Sequence, residues 1–186
     1  MSYHLPSIGH DVLVSESVVF KHPGNVHIGS HVAIDDFCFF STSLQIGDYV
    51  HIGPHVSVIG GIGGTLIMNE CSSIAAGARM IVRSDGLQGD GLSGPVPTQF
   101  KDEIVGNTIE LKKFSAVGSN AVVLPNSQIA EGSVISAGSV FGGVSEPWTV
   151  YFGNPARPIK ERNSLKILSR YETLQELRVK IEEQDE

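Results

Sequence analysis

Residues 28–58 read IGSHVAIDDFCFFSTSLQIGDYVHIGPHVSV, and every sixth position counted from Ile28 holds a large apolar side chain. The same spacing occurs near the N-terminus and returns in two later runs. The members of this six-residue series are Ile8, Val14, Phe20, Ile28, Ile34, Phe40, Ile46, Ile52, Val58, Met68, Ile74, Met80, Val105, Leu111, Val117, Val123, Ile129, Ile135 and Phe141. An α-helix repeats every 3.6 residues and an exposed strand every two, so neither produces this period.

A second set of small or apolar residues follows the first at a distance of four positions. Its members are Val32, Cys38, Leu44, Val50, Val56, Ser72, Ala78, Ser115, Ala121, Ser127, Ser133 and Ser139. One large and one small inward side chain followed by a turn make one side of a triangular coil. Three such units give a coil of about 18 residues, and successive coils stack at about 4.8 Å. The period therefore predicts an all-β fold, a parallel β-helix of hexapeptide repeats, with Cys38 buried inside it.

The repeat is interrupted twice. The step from Val58 to Met68 is ten residues instead of six and contains GGIGG at 60–64, and an inserted loop at about 83–104 follows Met80. Insertions in a solenoid leave it as loops, and such loops often carry functional sites. We expect the coils to end at residues 142–143, two glycines.

The last segment has a different pattern. Apolar residues recur at helical spacing from residue 163 onward, namely Leu165, Leu168, Tyr171, Leu174, Leu177 and Ile181. This spacing predicts an amphipathic helix, with Asn163 or Ser164 as its N-cap. The predicted organisation is a β-helix domain over residues 1–162 and a C-terminal helix over residues 163–186.

Composition excludes several classes of function. The 186 residues include 13 Lys and Arg against 20 Asp and Glu, a formal charge of −7, which argues against binding of nucleic acid or anionic membranes. Residues 1–10 do not form a signal peptide, and no apolar run approaches the roughly 20 residues of a membrane span. The two cysteines lack the spacing of metal ligands. We expect a cytoplasmic protein without membrane insertion.

Three stretches resemble the hexapeptide-repeat acetyltransferases: VGSNAVVLPN at 117–126, IAEGSVISAGSV at 129–140, and PWTVYFGNPARPIK at 147–160. The resemblance implies a left-handed β-helix, a homotrimer with active sites between subunits, acetyl-CoA as co-substrate and no metal. The segment YVHIGPHVS at 49–57 and the loop after Ser84 are similar to members that acetylate sugars of surface polysaccharides. Several of those members act on nucleotide-linked amino sugars, and this acceptor class is the one implied here.

Transfer from a thioester requires a base for the acceptor, and histidine is the natural base near neutral pH. His51 occupies an outward position just before Ile52, so we predict that it is the general base for direct transfer without an acyl-enzyme. His55 is an alternative base or a substrate contact. Asp35 and Asp85 are candidate substrate-binding carboxylates, which could hold a sugar hydroxyl or an amine.

The resemblance also implies cofactor contacts. Small residues that match the groove for the pantetheine arm are Ser119, Ala137, Gly142 and Gly143. Arg157 and Lys160 match a basic pair near the adenine and phosphates of coenzyme A, where a cation complements the charge.

Other functions remain open at this point. A γ-class carbonic anhydrase shares the fold and binds zinc through histidines, and His22 and His27 have a suitable separation, but no third histidine lies at the required distance upstream. A non-catalytic β-helix scaffold and an O-acetyltransferase of free sugars are further alternatives. The sequence leaves the acceptor atom and the acyl chain length undetermined.

Overall fold

The computed structural model describes residues 4–86 and 89–182. Its strands form three parallel sheets, which we call faces A, B and C. Face A contains β1 (Ser7–Ile8), β4 (Val26–Ile28), β7 (Ser43–Ile46), β10 (Thr65–Met68), β15 (Thr108–Leu111) and β18 (Gln128–Ile129). Face B contains β2 (Leu13–Val14), β5 (Ala33–Ile34), β8 (His51–Ile52), β11 (Ser73–Ile74), β16 (Ala116–Val117), β19 (Val134–Ile135), β21 (Thr149–Gly153) and β22 (Ala156–Glu161). Face C contains β3 (Val19–Phe20), β6 (Phe39–Phe40), β9 (Ser57–Ile59), β12 (Arg79–Ile81), β17 (Val122–Val123) and β20 (Val140–Phe141).

The chain visits the faces in the order A, B, C, and each strand pairs in parallel with the strand one coil further on. Face B shows the register clearly, because His51 lies opposite Ala33 of one neighbouring coil and Ser73 of the other. The six-residue series fills the axis of the prism: Phe40, Ile52, Met80 and the other members from Phe20 to Phe141, apart from Val105, are buried. The predicted parallel β-helix is confirmed.

The structure departs from the repeat pattern at three places. Ile8 is 55% exposed because the first coil has a neighbour on one side only. Val105, 44% exposed, is not part of a coil and belongs to the inserted loop. The coils also continue past residues 142–143, since β21 pairs with β19 and places the buried Tyr151 opposite Ile135. The expected end of the coils was therefore wrong. An antiparallel partner, β22, then closes face B.

Both insertions leave the coils between faces C and A and pack against each other. The first is the glycine-rich segment 60–64, and the second carries the antiparallel pair β13 (Ser84–Asp85) and β14 (Ile104–Val105). The Arg83 guanidinium donates a hydrogen bond to the carbonyl of Ile62. A Cβ atom on Gly63 would lie 2.7 Å from Arg83 Nη1, and the φ of Gly63 is +93°. The guanidinium could move away from a side chain, but the positive φ favours glycine at this position.

The C-terminal helix α1 spans Leu165–Glu182. Asn163 is its cap, because Asn163 Oδ1 accepts the backbone N–H of Leu165 at 3.0 Å. Leu165 and Leu177 are 75% and 51% exposed, so the apolar stripe read from the sequence is wider than the surface that packs on the coils. The side chain of Ile181, also predicted on this stripe, lies outside the described residues.

Glu70 holds the helix on the corner between faces A and B. Its carboxylate accepts hydrogen bonds from Lys113 Nζ at 2.8 Å, Tyr171 Oη at 2.6 Å and Arg178 Nη1 at 3.0 Å. Burial raises the pKa of Glu70, but the hydrogen bonds from Lys113 and Tyr171 outweigh it and lower that pKa overall. The second guanidinium nitrogen of Arg178 contacts Asp48 Oδ2 at 3.1 Å. One largely buried carboxylate thus fixes the middle and the end of the helix.

The remaining sequence expectations concern the cysteines and the membrane. Cys38 is buried as predicted, its Sγ donates to the carbonyl of Gly53 at 3.1 Å, and burial raises the pKa of its thiol. Cys38 and Cys71 are both free thiols. Within the described part of the chain, no helix is long and apolar enough to cross a bilayer.

Candidate active site

His51 and Asp35 meet across two adjacent coils. His51 begins β8, Asp35 directly follows β5, and the N–H of Asp35 donates to the carbonyl of Ile52 at 2.9 Å. This register brings His51 Nε2 to 2.9 Å from Asp35 Oδ2. The side chains are 58% and 41% exposed, so the pair is open to a substrate. A carboxylate on one ring nitrogen holds the imidazole orientation and stabilises the imidazolium formed when the other nitrogen accepts a proton.

The ring nitrogen of His51 that could accept a proton is Nδ1. An ionised carboxylate only accepts hydrogen bonds, so Asp35 selects the tautomer with the proton on Nε2. Among the described residues, His51 Nδ1 has no hydrogen-bond partner, and its lone pair is available. The neighbouring carboxylate, Asp36, is used differently, because it accepts hydrogen bonds from Ser15 Oγ and from Ser17 Oγ, the latter at 3.0 Å. These two hydrogen bonds lower the pKa of Asp36.

His55 lies on the corner between faces B and C, in the turn that directly follows β8 and four residues after His51. Its φ is +60°, as is that of Phe37 on the preceding coil, and the two rings stack with centroids 5.1 Å apart. The backbone N–H of His55 donates to the carbonyl of Asp36 at 2.9 Å. His55 therefore lies on the same corner as Asp35, where its ring stacks on Phe37. The imidazole that contacts Asp35 is that of His51.

Ser119 and Ala137 lie further along this B–C corner. The corner is formed by the turns at residues 15–18, 35–38, 53–56, 75–78, 118–121 and 136–139. The N–H of Gly138 donates to the carbonyl of Ser119 at 2.9 Å, which stacks the two turns directly. A Cβ atom on Gly118 would lie 2.4 Å from the backbone nitrogen of Ala137, so the coils approach closely here. The structure thus aligns both predicted groove residues with His51, Ala137 being three coil spacings, or about 14 Å, away along the axis.

The other predicted residues lie elsewhere on the chain. Gly142 and Gly143 follow β20 on the corner between faces C and A, not on the B–C corner. Asp85 lies on β13 of the inserted loop, which leaves the coils after face C. Arg157 and Lys160 are exposed on β22, the last strand of face B. Within one chain, a first group of predicted residues lies on or beside the B–C corner, namely His51, Asp35, His55, Ser119 and Ala137. Asp85 and the glycine pair lie on the other side of the coils, between faces C and A.

The repeat pattern does not indicate Ser73, which lies opposite His51 in the next strand of face B. It belongs to the outward set of face B, and its spacing of 22 residues from His51 includes the first insertion, which obscures the repeat at that point. A hydroxyl beside the imidazole is a further polar group within this surface.

Comparison with known proteins identifies the class. No protein-family model matches the chain. The chain is 33% identical over 160 residues to a dTDP-4-amino-4,6-dideoxy-D-glucose acyltransferase of Escherichia coli, covering 84% of this chain and 82% of that protein. AntD, an N-acyltransferase from Bacillus cereus solved in complex with dTDP and 3-hydroxybutyryl-CoA, superposes with a TM-score of 0.87 at 31% identity, over 94% of this chain and 92% of that one.

A galactoside acetyltransferase solved with coenzyme A superposes with a TM-score of 0.55 at 20% identity, over 85% of this chain and 66% of that one, and shows the fold alone. The chain belongs to the hexapeptide-repeat acyltransferase family. It is an acyltransferase with a left-handed β-helix, and both predictions are confirmed.

Proposed function

We propose that this acyltransferase transfers the acyl group of an acyl-coenzyme A to the amine of a dTDP-linked amino sugar, with His51 as the general base. The observation that carries the proposal is the B–C corner, on which the His51–Asp35 pair and the turns of Ser119 and Ala137 lie in one line. The acceptor class rests on the two relatives above 30% identity. The Escherichia coli relative is an acyltransferase of a dTDP-4-amino sugar, and AntD was solved with dTDP and an acyl-CoA.

The chemistry follows from the tautomer that Asp35 selects. The acceptor amine attacks the thioester carbonyl, His51 Nδ1 takes the proton that the nitrogen loses, and the C–N bond forms. The C–S bond then breaks, and the imidazolium returns its proton to the departing coenzyme A thiolate. Asp35 faces the positive ring throughout, so the charge that develops in the transition state meets a carboxylate already in position.

The coenzyme A arm fits the small residues of the corner. The pantetheine arm is thin and uncharged, and Ala76 and Gly77 leave a shallow surface on the coil between His55 and Ser119. Arg157 and Lys160 on β22 supply the cations for the phosphates at the far end. The donor acyl group we propose is acetyl.

We also propose that the enzyme is a homotrimer. Asp85, Gly142 and Gly143 lie on the insertion side of the coils, away from His51 in the same chain. In a threefold arrangement the insertion side of one subunit faces the B–C corner of the next, so Asp85 of a neighbour reaches the acceptor and the glycine pair lines the far wall of the groove.

The acceptor is tested by measuring release of the coenzyme A thiol from acetyl-CoA with a panel of dTDP-4-amino-4,6-dideoxyglucose, its 4-hydroxy counterpart, and the matching free sugars. We expect rapid release with the dTDP-linked amine alone, and a product that gains one acetyl group and resists hydroxylamine, as an amide does. Release with the hydroxyl compounds and a hydroxylamine-labile product would instead indicate an O-acetyltransferase. No release with any acceptor, together with no binding of acetyl-CoA, would indicate a scaffold.

A further inference from the structure

Two imidazoles on the first two coils have their Nε2 atoms close together. His10 lies before β2 on the first coil and His31 before β5 on the second, and the N–H of His31 donates to the carbonyl of His10 at 2.9 Å. The two Nε2 atoms are 3.2 Å apart. The rings are nearly perpendicular, at 83°, with centroids 4.7 Å apart. This pair lies on the corner between faces A and B, whereas the candidate active site lies on the B–C corner.

The second nitrogen of each ring already has a partner. His31 Nδ1 is 3.3 Å from Asp11 Oδ2, and His10 Nδ1 is 3.0 Å from Ser30 Oγ. The negative charge of Asp11 beside Nδ1 favours the tautomer of His31 with its proton on Nδ1, which leaves a lone pair at Nε2. When Ser30 Oγ accepts a hydrogen bond from the Nδ1–H of His10, the Nε2 of His10 also carries a lone pair. Carboxylate and hydroxyl partners of this kind are how proteins orient imidazoles that bind metals.

The distance between the two nitrogens suits a shared metal ion. Zinc–nitrogen bonds of about 2.0–2.1 Å at a tetrahedral angle place two ligand nitrogens about 3.3 Å apart. Suitable ligand atoms of His10, Asp11 and His31 all lie within 4.8 Å of one another. Imidazole favours Zn²⁺, Cu²⁺ and Ni²⁺ over Mg²⁺ and Ca²⁺. Among the residues that the structure describes, His22 and His27, the pair first considered from the sequence, do not belong to a group of three possible metal ligands.

We propose that His10 and His31 bind a divalent transition-metal ion of the Zn²⁺ class, with Asp11 and Ser30 orienting the two rings. Water completes the coordination. The ion ties the first coil to the second at the end of the β-helix, and it takes no part in the acyl transfer proposed above.

The first coil is the part of the β-helix that gains most from such a link. Ile8 is 55% and Leu13 is 75% exposed, and Leu5, Val12 and Val14 are only partly buried against the core. A terminal repeat has a neighbour on one side only, so it buries less apolar surface than an inner one. An ion that binds only the folded coil shifts the equilibrium toward the folded form in proportion to its occupancy.

The binding test uses chain without a histidine tag, freed of metal with a chelator and titrated with ZnCl₂ in a calorimeter. We expect one saturable Zn²⁺ site per chain. His10→Ala should weaken it by more than tenfold, and Asp11→Asn by about 10- to 100-fold, since Asp11 acts through His31. His27→Ala is the matched control, because it removes an exposed imidazole of the second coil that lies outside the pair, and it should leave the affinity unchanged.

A second measurement follows the consequence for stability. Zn²⁺ at about 100 times its Kd should shift the folding equilibrium of the wild type by about a hundredfold and raise its melting temperature, with no such rise for His10→Ala. His31→Asn is a second variant for the same test, since asparagine tolerates the φ of +57° found at His31. Binding that both variants leave unchanged, or that Mg²⁺ reproduces, would overturn the site and leave a histidine–histidine hydrogen bond in its place.

Discussion

Asp35→Asn tests whether the carboxylate acts through His51. The amide oxygen of asparagine still accepts a hydrogen bond from His51 Nε2, so the tautomer is kept while the negative charge is lost. The side chains are 58% and 41% exposed in the free chain, and an exposed pair contributes about 0.2–1 kcal/mol to stability. We therefore expect a small change in melting temperature.

The effect on the reaction should be larger than the effect on stability. In the transition state the ring is positively charged and covered by both substrates, where a hydrogen bond between charged groups contributes about 1.5–3 kcal/mol. At about 1.4 kcal/mol for each factor of ten, kcat should fall by roughly 10- to 150-fold. Saturating thiol-release assays measure kcat, and KM for acetyl-CoA should change little, since we propose that Asp35 lies at the acceptor end of the corner.

A double-mutant cycle identifies the route of the effect. If Asp35 acts only through His51, adding Asp35→Asn to His51→Asn should cause no further loss of kcat. Asp36→Asn is the matched control, because Asp36 is the adjacent carboxylate but bonds to Ser15 and Ser17. Losses that multiply in the double variant would refute the reasoning and make Asp35 a direct substrate contact.

Three further predictions test the cofactor groove, the assembly and the helix. Arg157→Ala with Lys160→Ala should raise KM for acetyl-CoA more than it lowers kcat in initial-rate assays, because contacts with a remote phosphate are alike in the ground and transition states; a fall in kcat alone would refute this placement. Light scattering at micromolar concentration should give the mass of a trimer, and a monomer mass would contradict the shared site. Glu70→Gln should destabilise the chain by about 1–3 kcal/mol at pH 7. Folding lowers the pKa of Glu70 from 4.5, so the contribution of its carboxylate to stability is present above pH 4.5 and disappears as the pH falls through the lowered pKa. The melting temperatures of the variant and the wild type should therefore converge in acid. A difference that stays constant with pH would argue against the ion pairs.

The six-residue period predicted the fold well because each coil buries one large and one small side chain at fixed positions. It failed at Val105, whose apolar side chain matches the period by chance within the exposed insertion. It also failed at β21, because the step from Phe141 on face C to Tyr151 on face B is ten residues instead of the twelve of two repeat units, and the hairpin that follows has no repeat pattern.

The site was harder to predict than the fold. The outward position of His51 follows from the period, but its partner does not, since Asp35 lies in a turn and its side chain reaches sideways to the next coil. The same holds for His10 and His31, whose contact depends on side-chain rotation. Ser119 and Ala137, which the family resemblance indicated, lie on the B–C corner with Asp35, while Asp85 and the glycine pair lie on the insertion side of the coils.

The central claim is that His51 is the general base, and one comparison tests it most directly. The rate of thiol release from acetyl-CoA is measured with saturating dTDP-4-amino-4,6-dideoxyglucose for the wild type, His51→Asn and the surface control His27→Asn. We predict that His51→Asn loses about 10²- to 10⁴-fold in kcat, as expected for removal of a general base, while its affinity for acetyl-CoA and its melting temperature stay those of the wild type. Full turnover of His51→Asn, equal to that of the His27→Asn control, would contradict the account.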